Sequence, residues 1–126
     1  MNNKIICTDK APAAIGPYSQ GVSGAGIVIT SGQLPINAKT GTMPETIEEQ
    51  TEQSLENVKA VLEAAGASMD SVIKTTVFLK DMNDFGAMNV TYESYFTAGQ
   101  YPSRSAVEVA RLPKDALVEI EAIAVI

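Results

Sequence analysis

YPSRSAVEVARLPKDALVEIEAIAVI, residues 101–126, is the stretch from which the rest of the chain can be read. Two strand-like runs, 105–109 and 117–126, flank a break at Leu112–Pro113–Lys114–Asp115. In the second run Val118, Ile120, Ala122, Ala124 and Ile126 share one face, because successive side chains of a strand point to opposite sides of a sheet. Leu117, Glu119, Glu121, Ile123 and Val125 share the other. A strand wet on one side carries polar residues along that whole side. This one is apolar on both, with two carboxylates embedded, so it is expected to be covered on both faces. Arg104 enters the preceding run just after Pro102. If the two runs pair, a guanidinium and a carboxylate converge at the sheet.

Working outward, the 126 residues predict one domain spanning 1–126. The 45% hydrophobic fraction is that of a globular chain. No apolar run reaches the ~18 residues of a membrane-span candidate. MNNKIICTDK has no apolar signal core, which points to a cytoplasmic protein with no membrane partner. A single cysteine, Cys7, rules out an intrachain disulfide; beside Ile5 and Ile6 it is expected to be a small buried hydrophobe. Net charge is −6, which argues against a nucleic-acid partner, since such binding draws on clustered Lys and Arg. The chain has no histidine. That removes Ser-His-Asp and Cys-His systems and the usual zinc sites, and leaves proton transfer to Glu, Asp, Lys, Tyr, Cys or water.

Ile5–Cys7 predicts an edge strand. APAAIGPYSQ, 11–20, is extended or looped, because its prolines and Gly16 oppose a helix. Tyr18 there either caps the core edge or walls a pocket. Residues 21–26 predict a turn, and the β-branched run 27–31 a strand ending at Ser31–Gly32–Gln33, where a glycine permits close approach of a ligand or a second backbone. Residues 37–43 predict a surface turn. Thr46-x-x-Glu49 has the form of a capping box. Ile47, Leu55, Val58, Val61, Leu62 and Ala65 then recur at helical spacing up to a stop at Gly66. Glu48, Glu49, Glu52 and Glu56 read as a solvated face, not a metal site. Residues 71–80 form a strand with Ile73, Thr75, Val77 and Leu79 on one face. A second helix over 85–96 carries a core stripe of Phe85, Met88, Tyr92 and Phe96, with Asn89 beside it, either exposed or lining a cleft. The order is β-β-β-α-β-α-β-β. Two helices cover one face of such a sheet, and the apolar remainder of the other predicts a homo-oligomer.

Arg104 with Glu119 and Glu121 is the strongest chemical constellation. Arginine grips a carboxylate through two parallel hydrogen bonds, and a glutamate holds and polarises water. The alternative is an internal ion pair that only compensates burial.

The segments APAAIGPYSQG (11–21), ITSGQLP (29–35), QSLENVKAVLEAAG (53–66), KTTVFLKDMNDF (74–85) and YPSRSAVEVARLPKDALVEIEAIAV (101–125) together resemble the reactive-intermediate deaminase family, RidA or YjgF. The resemblance implies an α+β, chorismate-mutase-like fold, a mixed sheet with two helices on one face, assembled as a homotrimer with active sites between subunits. It implies hydrolysis of 2-imino and enamine acids, such as 2-iminobutanoate and 2-iminopropanoate, to 2-oxo acids and ammonia, with no cofactor and no metal. Arg104 matches the arginine that grips the substrate carboxylate, and Glu119 the glutamate that positions water. Tyr18, Ser31, Gly32 and Asn89 match residues near the ligand. Ala106 stands where many bacterial members have a cysteine, so a thiol at that position is not part of this chain's chemistry. The competing reading is a non-catalytic trimer that binds small carboxylates as a metabolite sensor.

Overall fold

In the computed structural model, which describes residues 3–126, the alternating C-terminal run lies inside a six-stranded sheet. The elements in chain order are β1 (Lys4–Ile6), β2 (Gly21–Gly24), β3 (Ile27–Thr30), α1 (Ile47–Ala64), β4 (Val72–Leu79), α2 (Phe85–Glu93), β5 (Ser103–Glu108) and β6 (Val118–Val125). Single 3-10 turns precede β4, α2 and β6. The strand order is β1-β2-β3-β6-β4-β5, antiparallel except for the parallel pair β4–β5. A parallel pair needs a crossover rather than a hairpin, and α2 supplies it. The architecture is the expected α+β one, a mixed sheet with two helices against one face. Among the described residues, no helix is long and apolar enough to cross a membrane.

The register of β6 explains the burial. Val118, Ile120, Ala122 and Ala124 are buried against the helices, whereas Glu119, Glu121 and Ile123 are half-buried on the opposite face. α1 begins at Thr46, whose hydroxyl accepts from Glu49 N at 3.2 Å. It ends where Gly66, at φ +85°, turns the chain so that Ala67 N donates to Leu62 O at 2.9 Å. Its stripe of Leu55, Val58, Val61 and Leu62 is fully buried. Two buried amides on the same helix fasten the loops around it. Gln50 donates to Pro44 O at 2.8 Å and accepts from Leu117 N at 2.8 Å. Asn57 donates to the carbonyls of Leu34 and Ile36 at 3.0 and 2.9 Å.

Four local expectations are corrected. Residues 21–24 form a strand, and only Ala25 and Gly26, both at positive φ, make the turn. A bulge between Val72 and Lys74 shifts the phase of β4, so Val72 is buried and Ile73 is half exposed. α2 stops at Glu93 rather than 96, although Phe96 still packs on Tyr92 with ring centroids 4.8 Å apart. Cys7 is exposed, because Ile6 takes the inward position at the end of β1.

The face of the sheet away from the helices exposes Ile29, Val107 and Val125 beside half-buried Phe78 and Ile123. The apolar remainder of that face is left uncovered by the helices, as expected from the pattern of β6.

Candidate active site

Two clefts, not one, hold the residues singled out from the sequence. The first opens at the end of β3. Ser31 N donates to Gln20 O at 2.8 Å and Ser31 Oγ to Ser19 O at 2.5 Å. This ties the end of the strand to the proline-rich loop. That loop is itself pinned by the buried Gln20 side chain, which accepts from Thr8 N at 2.7 Å and donates to Pro12 O at 2.8 Å. A bridge between Gln33 and Ile120, with N–H···O distances of 2.8 and 3.2 Å, lays the next turn against β6. The result is a cavity of about 440 Å³ whose walls include Tyr18, Ile15, Leu34, Gly32 and Glu119. Tyr18 is thus a half-exposed wall residue rather than a core cap.

Gly32 is needed here for space, not for its backbone angle. A Cβ on it would stand 2.8 Å from Glu119 Oε2 and 2.9 Å from the carboxyl carbon. Gly32→Ala is therefore expected to displace the Glu119 carboxylate. The fold should survive, and if Glu119 positions water, as the resemblance implies, activity should fall about tenfold or more, since small misplacements of a reacting group carry large rate costs. Steady-state kinetics beside a thermal melt check this; wild-type activity in Gly32→Ala would detach Glu119 from the chemistry.

Glu119 is half-buried, and burial, reinforced by the neighbouring charge of Glu121, raises its pKa above the usual carboxylate value of 4.5. Lys114, held at φ +57° in the turn before β6, stands at the rim of the same cavity. From sequence that turn read only as a break between strands.

The second cleft, also about 440 Å³, is lined by Asn89, Tyr92, Glu93, Tyr101, Pro102 and Arg104. Arg104 Nη1 donates to Asn89 Oδ1 at 2.6 Å. Its guanidinium carbon lies 4.8 Å from the centroid of the Tyr92 ring and 5.3 Å from that of Phe85. Among the described residues the one salt bridge is the exposed Arg111–Asp115 pair, so Arg104 is held by aromatic faces and an amide oxygen rather than by an acid. Tyr92 and Phe85 were legible only as core; their helical spacing held no sign of the arginine over them. Ala106, half-buried, lies on the same face of β5 two residues on.

Arg104 and Glu119 do not converge within one chain. β4 separates β5 from β6. Arg104 is level with Thr75 and Ala122, on the helix-covered face. Glu119 is level with Phe78 and Val107, on the opposite face. The pairing of the last two strands expected from their proximity in sequence is corrected, and with it the internal ion pair. What the arrangement offers is a guanidinium lining a cleft on one side of the sheet and a carboxylate beside a largely apolar cavity on the other.

The family model described as endoribonuclease L-PSP matches residues 8–126. The chain is 58% identical over 125 residues to the 2-iminobutanoate/2-iminopropanoate deaminase of Escherichia coli K12, covering 98% of each. Its fold superposes on E. coli TdcF with bound serine with a TM-score of 0.93 at 52% identity, covering 98% of both chains. It superposes on the E. coli YjgF gene product with a TM-score of 0.92 at 56% identity, covering 97% of this chain and 98% of the other. With the sheet, the Gly32–Glu119 contact and the exposed Arg104 cleft all in place, the chain belongs to the endoribonuclease L-PSP family, the RidA/YjgF group of reactive-intermediate deaminases that its motifs resemble.

Proposed function

We propose that this protein hydrolyses reactive 2-imino acids, of which 2-iminobutanoate and 2-iminopropanoate are the type, to 2-oxo acids and ammonia. The observation that carries the reading is Arg104: a half-buried guanidinium, gripped from behind by aromatic rings, with no acid partner among the described residues. Such a cation is a receptor for a planar carboxylate. The 58% identity, over 98% of the chain, with a deaminase named for those substrates supports it.

The working cleft on this reading joins the Arg104 side of one copy to the Glu119 side of a second, in a homotrimer. The placement of the two residues on opposite faces supports this, as does the apolar open face. The substrate carboxylate sits on Arg104. Glu119 takes a proton from a bound water as the water oxygen bonds to the carbon of the protonated imine. It returns that proton to nitrogen in the carbinolamine. The C–N bond then breaks as the hydroxyl becomes a carbonyl, its proton passing to the carboxylate, and ammonia leaves. Tyr18, Ser31, Gly32, Asn89 and Ala106 shape the walls. The imine is electrophilic already, so positioning supplies much of the gain, and no step calls on a metal or cofactor.

The family description names an endoribonuclease, but a net charge of −6 and the absence of histidine disfavour RNA cleavage here. The test is a coupled assay in which a dehydratase releases 2-iminobutanoate from threonine and 2-oxobutanoate formation is followed against semicarbazide trapping. Acceleration by the protein supports the proposal. A folded protein that leaves the spontaneous rate unchanged would favour the non-catalytic carboxylate binder instead.

A further inference from the structure

We propose that Tyr92 is a positioning residue for substrate recognition: its ring, tethered through its hydroxyl to Thr75, fixes the plane of the Arg104 guanidinium so that the free N–H edge faces the cleft. The inference rests on Arg104 being the carboxylate receptor. Tyr92 comes from α2 and is almost fully buried. Its hydroxyl lies 2.6 Å from Thr75 Oγ1, which is also buried. Thr75 is the residue of β4 directly level with Arg104 on β5. The tether therefore anchors the ring to the strand beside the arginine that it supports. Phe96 packs against the ring at 4.8 Å between centroids, with an interplanar angle of 42°. One edge and one side of the tyrosine are thus held, and Arg104 rests against it, 4.8 Å from the centroid.

An arginine has many rotamers and five N–H donors. A contact with an aromatic face uses the flat of the guanidinium and leaves its edge available. Asn89 takes one donor on Nη1. The remaining edge is then presented to the cleft walled by Tyr101 and Pro102. The hydroxyl of Tyr92 is committed to Thr75, and burial raises its pKa, so its part is geometric rather than acid–base.

The test is calorimetric titration of 2-oxobutanoate, and of its amide as a control lacking the carboxylate, into wild type, Tyr92→Phe, Tyr92→Leu and Thr75→Val, each with a thermal melt. Tyr92→Leu removes the face, and its Kd for 2-oxobutanoate is expected to rise about tenfold, while the amide is unaffected. Tyr92→Phe keeps the face but loses the tether, as Thr75→Val does from the other side, and both should fall between wild type and Tyr92→Leu. Folded variants with a lowered melting temperature and wild-type affinity would show Tyr92 to be core alone and overturn the inference. If Tyr92→Leu does not fold, Thr75→Val decides: affinity equal to wild type overturns the inference, and selective weakening for the carboxylate supports it. The titration is independent of turnover, so wild type that binds 2-oxobutanoate without accelerating imine hydrolysis would overturn the deaminase reading and leave this one standing.

Discussion

Arg104→Ala is expected to lower kcat/KM for 2-iminobutanoate by about 10²- to 10⁴-fold, the equivalent of two hydrogen bonds to a charged group at about 1.5–3 kcal/mol each. The fold should be little affected. The guanidinium has no acid partner among the described residues, so its removal leaves no buried carboxylate uncompensated. Asn89 Oδ1 loses its donor, but Asn89 is only half-buried and water can replace the bond. Arg104→Lys keeps the charge and loses both the two-pronged edge and the flat contact with Tyr92. It should recover only part of the loss. Kinetics with a thermal melt separate these cases, and a folded Arg104→Ala protein that retains a tenth or more of wild-type efficiency would place the carboxylate elsewhere.

Glu119→Gln is the second large effect, a fall of about 10²- to 10⁴-fold in kcat, the range of a positioned proton acceptor. The pH dependence gives it a signature. Burial and Glu121 raise the Glu119 pKa above 4.5. The ionised form takes the proton from water, so the enzymatic rate, after subtraction of spontaneous hydrolysis, should fall as pH drops through that raised value. The glutamine variant should lack this limb. Stability moves in the opposite sense. A carboxyl whose folded pKa is raised contributes stability that is fully present below its unfolded pKa and is lost as pH rises through the folded one. At neutral pH wild type therefore carries the penalty of a half-buried charge that Glu119→Gln lacks, and the variant should melt higher there. The difference should close as pH falls through the raised value to below about 4.5. A variant that melts lower than wild type at pH 7 would mean that the carboxylate has a favourable partner in the assembled protein.

The two effects show which parts of the site were legible in sequence. Alternation along Val118–Val125 displayed both faces of β6, and the Thr46 cap with its apolar stripe displayed α1. Those signals are local, carried by side-chain spacing within one element. The intervention of β4 between the last two strands is not local. It follows from α2 crossing over to set β5 parallel to β4, and nothing in residues 101–126 encodes that. Hence Arg104 and Glu119 were recognisable as a pair, while the face that each occupies was not. The 21–24 strand was hidden by Gly21, Ser23 and Gly24, small residues with weak strand preference. It forms because its neighbours β1 and β3 supply the hydrogen-bonding partners. The phase of β4 was lost at a bulge, a one-residue insertion that periodicity does not register. Tyr92 illustrates the same limit within the site. Helical spacing gave its burial, but its contacts with Thr75 and Arg104 come from two other strands.

The opposed placement of Arg104 and Glu119 also bears on heredity. On the proposed assembly, each polypeptide carries one half of two different clefts and the whole of neither. A gene copy that loses the arginine and another that loses the glutamate each encode a nearly inactive protein alone. Expressed together they form mixed assemblies in which an intact Arg104 meets an intact Glu119 wherever the order of subunits allows it. Two broken alleles of this gene can therefore complement one another, and a trace of newly made chain, too dilute to find its neighbours, has no activity to contribute.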